Sequence, residues 1–226
     1  MARVNIKGPI VSNSDYSIYE WFGIEATCPK IVHDAIEKAN GEDLEVIINS
    51  GGGSVFPASE IYTALRDYAG NVIVKIVGLA ASAASVVAMA GTKVLMSPTA
   101  QMMIHNVTTY AEGDYRDMEH TAEILKTAND TIANAYRLKS GKTQEELLAL
   151  MDNETWMTAQ KAKELGLIDE IMFEDDVQLA ASTDYSGLLP PEVINTMRNK
   201  LQSEKAQKAA HAKLNFLKLK GDLKDE

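Results

Sequence analysis

Short apolar runs alternate with helix-periodic stretches through most of this chain. Val4–Val11 reads as a first strand, with Pro9 implying a sheet edge. Ser12–Phe22 is polar and aromatic and reads as irregular. Pro29–Asn40 places Ile31, Val32, Ala35, Ile36 and Ala39 at helical spacing, with a proline at the start and Gly41 beyond the end. Leu44–Ile48 is a strand, Asn49–Gly53 (NSGGG) a sharp turn, and Ser54–Tyr68 a helix. The central stretch is Asn71–Gly91, NVIVKIVGLAASAASVVAMAG. Val72–Val77 is a β-branched strand expected to break at Gly78, and Ser82–Ala90 a small-residue helix closed by Gly91. Strands Lys93–Met96 and Met102–Ile104 follow, the two separated by a turn at Pro98. The βαβαβ order predicts an α/β fold with a mostly parallel sheet covered by helices.

The second half is more helical. Gly113–Lys139 carries Met118, Ile124, Leu125, Ile132, Ala135 and Leu138, a single sticky face on a helix long enough to project toward another subunit. Thr143 and Glu146 fit a capping box for a helix over Thr143–Leu150. Trp156–Leu165 reads as helix and Leu167–Phe173 as a strand. After Glu174 the pattern ends. The expected division is a folded domain over 1–174 and a polar linker with a weakly ordered or helical tail over 175–226, where Val193, Met197 and Leu201 recur every four residues.

Composition narrows the classes. Of 226 residues, 46% are hydrophobic, enough for a sizeable core, and the net charge of −10 argues against a nucleic-acid backbone as partner. Cys28 is the single cysteine, which excludes an internal disulfide and suits a reducing compartment. The N-terminus lacks a secretory pattern, and no apolar run reaches the roughly 20 residues of a membrane helix, so the expected setting is the cytoplasm without membrane contact.

Candidate chemistry lies at strand ends. Ser82 and Ser85 fall where a strand turns into a helix, and a hydroxyl there, among small neighbours, is placed to attack a carbonyl. The glycines of NSGGG can turn backbone N–H groups toward an anion, although the spacing is not a dinucleotide fingerprint. Ser140-Gly141-Lys142-Thr143 is rejected as a phosphate loop, because Tyr136 stands where its first glycine belongs. His105 ends the apolar run MMI, whereas His33 and His120 lie in helices and His211 in the tail. No His, Cys and carboxylate cluster has metal-ligand spacing, so no metal is expected. Asp152, Glu154 and Asp169 are, by default, solvated charges. Each feature has a plain structural explanation. Together, a glycine turn, an elbow serine, a strand-end histidine and a later carboxylate are the parts of acyl-transfer chemistry.

These pieces resemble the ClpP-type serine proteases, most closely the phage and prophage branch described as head maturation proteases. The matching segments run in the family's order: Ile48–Gly53, Gly78–Ser85, Met103–Asn106, Trp156–Ala159 and Gly166–Asp169. The resemblance implies a ClpP/crotonase-like superhelix of β-β-α units with the long helix projecting. It selects Ser82 as nucleophile and His105 as base, with the backbone N–H groups of Gly53 and Ala83 as oxyanion hole. The third position of the family's triad, an aspartate, falls on Glu154, with Asp152 as the alternative. No cofactor is implied. The implied partners are copies of the same chain in a ring, commonly two stacked heptamers, and a polypeptide substrate such as a phage capsid or scaffold protein. The long N-terminal segment that lines the axial pore of housekeeping members is shortened or missing before Val4, so the expected activity is independent of an ATP-driven unfoldase. Two alternatives stand beside the endopeptidase: a catalytically silent ClpP-like assembly protein, and a crotonase-like acyl-CoA enzyme.

Overall fold

The computed structural model describes residues 1–174, 192–201 and 203–204. The chain divides into two units, Met1–Asp175 and Asp176–Glu226. In the first, the elements are β1 (Ala2–Lys7), α1 (Asn13–Trp21), α2 (Pro29–Ala39), β2 (Leu44–Ser50), α3 (Val55–Asp67), β3 (Val72–Ala81) and α4 (Ala83–Ala88), then β4 (Lys93–Met96), β5 (Gln101–Ile104), α5 (Tyr115–Ser140), α6 (Gln144–Asp152), β6 (Thr155–Thr158), α7 (Ala159–Glu164) and β7 (Glu170–Ile171). In the second, residues 192–201 and 203–204 are helical; the rest of the predicted linker and tail lies outside the described residues.

The sheet runs β1-β2-β3-β4-β7, every neighbour parallel. Its central strands are apolar where both faces are covered: Val46, Ile48, Val74 and Ile76 are fully buried. Burying each such side chain contributes about 1.5–3 kcal/mol. β3 is long enough to serve two neighbours. Ile73–Ile76 pairs with β4, and Leu79–Ala81 pairs with β5. β5 in turn takes β6 as an antiparallel partner.

Several expectations are corrected. β3 does not stop at Gly78. The pairing with β2 shifts between Ile48 and Ser50, and at that shift Asn49 Oδ1 accepts the Leu79 N–H at 3.1 Å. A Cβ on Gly78 would sit 2.5 Å from that oxygen, so the glycine admits the asparagine side chain and the strand continues. Ser12–Phe22 is not irregular: Ser12 caps α1 by accepting the Asp15 N–H, and Tyr16 and Tyr19, one turn apart, pack on Val11, Ala26 and Cys28. Trp156–Leu165 is not one helix. Residues 155–158 form a strand because Met157 alone faces the core, and α7 begins only after Thr158 caps it. The helix expected over Ser82–Ala90 is shorter and starts at Ala83. The first strand ends at Lys7, before Pro9, and the last is reduced to two residues.

The long helix is present with an Asp114–Asp117 capping box at its start and Gly141 in the left-handed conformation at its end. Its buried residues, Ala133, Ala135 and Tyr136, all lie in its last third, while Met118 and Ile124 are exposed. The Ser140–Thr143 segment is thus the junction of two helices, with Thr143 capping α6. Among the described residues no helix is long and apolar enough to cross a membrane.

Candidate active site

The chain turns abruptly at the end of β3. Ser82 has φ 54° and ψ −127°, a conformation disfavoured for a residue with a side chain, and α4 begins at the next residue. Holding it there costs about 1–3 kcal/mol, which the surroundings must supply. Two contacts do so. The Ser82 N–H donates to Met103 O at 2.9 Å, extending the β3–β5 ladder by one step, and the Ser82 carbonyl accepts the Ser85 N–H at 3.0 Å. The result is a half-buried hydroxyl standing clear of the sheet.

β5 delivers His105 to the same point, one residue past its last paired position. Its Nε2 lies 2.7 Å from Ser82 Oγ. The loop that follows is held by α5, since Asn129 Oδ1 accepts the Val107 N–H at 2.8 Å. Ser82 and His105 are therefore brought together from separate strands, at the distance a proton transfer requires.

The glycine turn comes next to the elbow. Ile10 bridges to Gly53 in parallel fashion, donating to Gly52 O and accepting from the Ser54 N–H, each at 2.8 Å. In such a bridge the middle residue's own N–H points away from its partner, which leaves the Gly53 N–H without an acceptor among the described residues. The Ala83 N–H opens α4 and has no preceding turn to donate to. Both residues line one cavity of about 360 Å³ together with Ser82 and His105. Val86, Ile132, Ala135 and Leu138 give that cavity an apolar wall.

The carboxylates are arranged differently. The β5–β6 register pairs Ile104 with Thr155, and the next pair along it would be His105 with Glu154. The ladder stops because Glu154 turns into the left-handed region at φ 44°. Its Oε1 accepts the Trp156 indole N–H at 3.1 Å. Asp152 Oδ1 accepts from Asn106 Nδ2 at 2.8 Å. Among the described residues neither carboxylate hydrogen-bonds the His105 ring. Asp169 lies elsewhere, accepting from the Val94 N–H and from Lys139 Nζ, each at 2.6 Å.

Sequence reasoning passed over Tyr136. It is buried beneath the elbow with its hydroxyl 2.8 Å from Ser85 Oγ, and burial pushes its phenol well above the usual range. A tyrosine among the small residues of the helix's last turns was the available signal. Among the described residues no group of three or more His, Cys, Asp or Glu side chains gathers as a metal site would require.

A parallel-sheet fold with a strained serine at a strand–helix elbow and a strand-end histidine in contact with it belongs to a small set of α/β architectures. A family model for Clp proteases matches residues 27–175. The chain is similar to the ATP-dependent Clp protease proteolytic subunit of Bacteroides fragilis, 36% identical over 136 residues, which are 59% of this chain and 66% of that one. It is also similar to proteolytic subunit 1 of Chlamydia abortus, 32% identical over 164 residues, 67% of this chain and 85% of that one. A third relative is proteolytic subunit 1 of Streptomyces avermitilis, 32% identical with 65% and 69% covered. The chain spans just under two thirds of the length of the Bacteroides relatives it matches. The chain belongs to the Clp protease family, and its mixed α/β fold is the ClpP-like one.

Proposed function

We propose that this chain is a serine endopeptidase. The observation that carries the reading is the 2.7 Å contact between Ser82 Oγ and His105 Nε2 beside the cavity. As a peptide carbonyl enters, His105 Nε2 takes the hydroxyl proton and Oγ forms a bond to the carbonyl carbon. The carbonyl oxygen becomes an oxyanion, and the Gly53 and Ala83 N–H groups are the donors for it. Collapse breaks the C–N bond, and the leaving amine takes the proton from His105. Water, deprotonated by the same ring, then hydrolyses the acyl-serine and restores Ser82. The apolar wall receives an apolar side chain next to the scissile bond.

Glu154 is the third member in this reading, with Asp152 as the alternative. A turn of the Glu154 side chain from the Trp156 indole toward His105 would hold the ring in the tautomer whose Nε2 can accept. Assembly into a ring, through the exposed face of α5, is the event that would favour that turn and enclose the site. We assign the substrate to polypeptide segments such as those of a phage capsid or scaffold precursor, following the resemblance of the motifs to that branch. A short peptide reaches the cavity unaided, so its hydrolysis needs no nucleotide. The protease domain is placed at residues 1–174 and the setting in the cytoplasm.

One observation favours a second reading: the Glu154 carboxylate sits on Trp156 rather than on His105. A ClpP-like shell without catalysis fits that placement. The acyl-CoA alternative leaves the Ser82–His105 contact without a role. The test is intact-mass analysis after incubation with a fluorophosphonate, together with hydrolysis of a fluorogenic peptide. One adduct per wild-type chain, no adduct on Ser82→Ala and peptide turnover by the wild type alone are expected. An assembled wild type that takes no label is the silent shell.

A further inference from the structure

Two buried hydroxyls beneath the elbow take no part in the chemistry above. Ser85 is 0% exposed and Tyr136 1%. Ser85 Oγ donates to the Ser82 carbonyl at 2.6 Å and lies 2.8 Å from the Tyr136 hydroxyl. A carbonyl oxygen only accepts, so the single Ser85 hydroxyl proton goes to Ser82. Tyr136 must then be the donor to Ser85. The chain runs Tyr136 O–H to Ser85 O–H to Ser82 C=O, each bond polarising the next. We propose that Ser85 and Tyr136 are positioning residues for the nucleophile. They grip the carbonyl of the nucleophile's own residue, hold its backbone in the strained conformation, and so set the distance from Ser82 Oγ to His105.

The pair is hard to explain as filling. Every residue of α4 is buried, and the others are alanine and valine, so an alanine at 85 would suit the helix as well. A phenylalanine at 136 would fill nearly the same volume without a polar atom to satisfy. The helix that supplies Tyr136 also supplies Asn129, whose Oδ1 holds the loop after His105. Those two side chains are about two turns apart and lie on one face of α5. One helix thus supports both members of the Ser82–His105 contact.

This inference rests on the serine-hydrolase reading. The experiment measures the maximal rate and the half-saturating concentration for fluorophosphonate labelling of Ser82, beside the melting temperature. It uses full-length wild type, Ser85→Ala, Tyr136→Phe and the double variant. Ser85→Ala strands a buried phenol and lowers the melting temperature; the double variant removes both polar partners and recovers most of it. The maximal labelling rate is expected to fall roughly tenfold in both, with half-saturation within about twofold of wild type. Tyr136→Phe keeps the bond from Ser85 to Ser82 and falls by only about threefold. A labelling rate that recovers along with melting in the double variant, or one unchanged in Ser85→Ala, overturns the assignment. Wild type that takes no label overturns the hydrolase reading itself, and this assignment with it.

Discussion

The sharpest consequence of the elbow's construction concerns two adjacent glycines. Gly52 is buried with φ +96°, and a Cβ there would lie 2.7 Å from Ala81 O, 2.8 Å from Ser82 Cβ and 2.9 Å from Ala83 N. None of these is the far end of a flexible side chain, so nothing can swing aside. Gly51 is exposed, and a Cβ there meets nothing within 4 Å. In Gly52→Ala the left-handed backbone costs about 1–2 kcal/mol and the collision a further ~1–3 kcal/mol. The smaller entropy of the unfolded alanine chain returns less than about 1 kcal/mol. The net loss is then about 1–5 kcal/mol, which for a unit of this size lowers the melting temperature by roughly 2–20 °C. Relief must come through the Ser82–Ala83 peptide, which carries both the proposed nucleophile and a proposed oxyanion donor. A displacement of about 1 Å there costs on the order of a hundredfold in rate. Gly51→Ala is expected to melt within a few degrees of wild type and to label normally. Differential scanning fluorimetry and the fluorophosphonate rate, measured on both variants side by side, check the pair. Gly52→Ala with wild-type melting and labelling would refute the close approach of turn and elbow. Equal damage from Gly51→Ala would show that the turn, and not its contact with Ser82, is what matters.

Two further expectations follow from particular residues. Glu154 holds a left-handed backbone that glycine adopts without penalty. Glu154→Gly should therefore melt at or above the wild-type temperature while peptide turnover drops at least about tenfold, and full turnover would move the third role to Asp152. Glu45 is 13% exposed, with Lys75 and Arg3 as ionic partners, the latter at 2.6 Å. Hydrogen bonding to Lys75, then to Arg3, holds its carboxyl below the usual value. A depressed folded-state pKa stabilises above the unfolded value and is lost as pH falls through the folded one. Stability measured by urea midpoint should thus decline in acid below about pH 4.5, and Glu45→Gln should flatten that limb; an unchanged slope would remove Glu45 from it.

Much of this protein is legible in its residue pattern. The short apolar β-branched runs at 44–48 and 72–77 have the length and composition of strands buried on both faces, and the 3.6-residue periods of α2, α3 and α5 leave one face to cover. Caps mark ends locally, as Thr143 and Glu146 do, because the bonds involved span three residues. The order of the motifs singles out Ser82 and His105 as candidates, and the structure places their side chains 2.7 Å apart. What the pattern does not contain is any bond between distant segments. Strand 155–158 hides inside a helical composition because its partner is β5, some fifty residues earlier, and only that ladder makes Met157 inward-facing. Gly78 reads as a break until Asn49, from another strand, is seen to occupy the space its missing side chain leaves. The distance from Ser82 to His105, the stop at Glu154 and the hydroxyl chain from Tyr136 are all products of packing. Sequence determines which elements want to form and which side chains can do chemistry, since propensity and periodicity act within a few residues. Tertiary structure decides which of those side chains meet, since that depends on registers set between strands far apart in the chain.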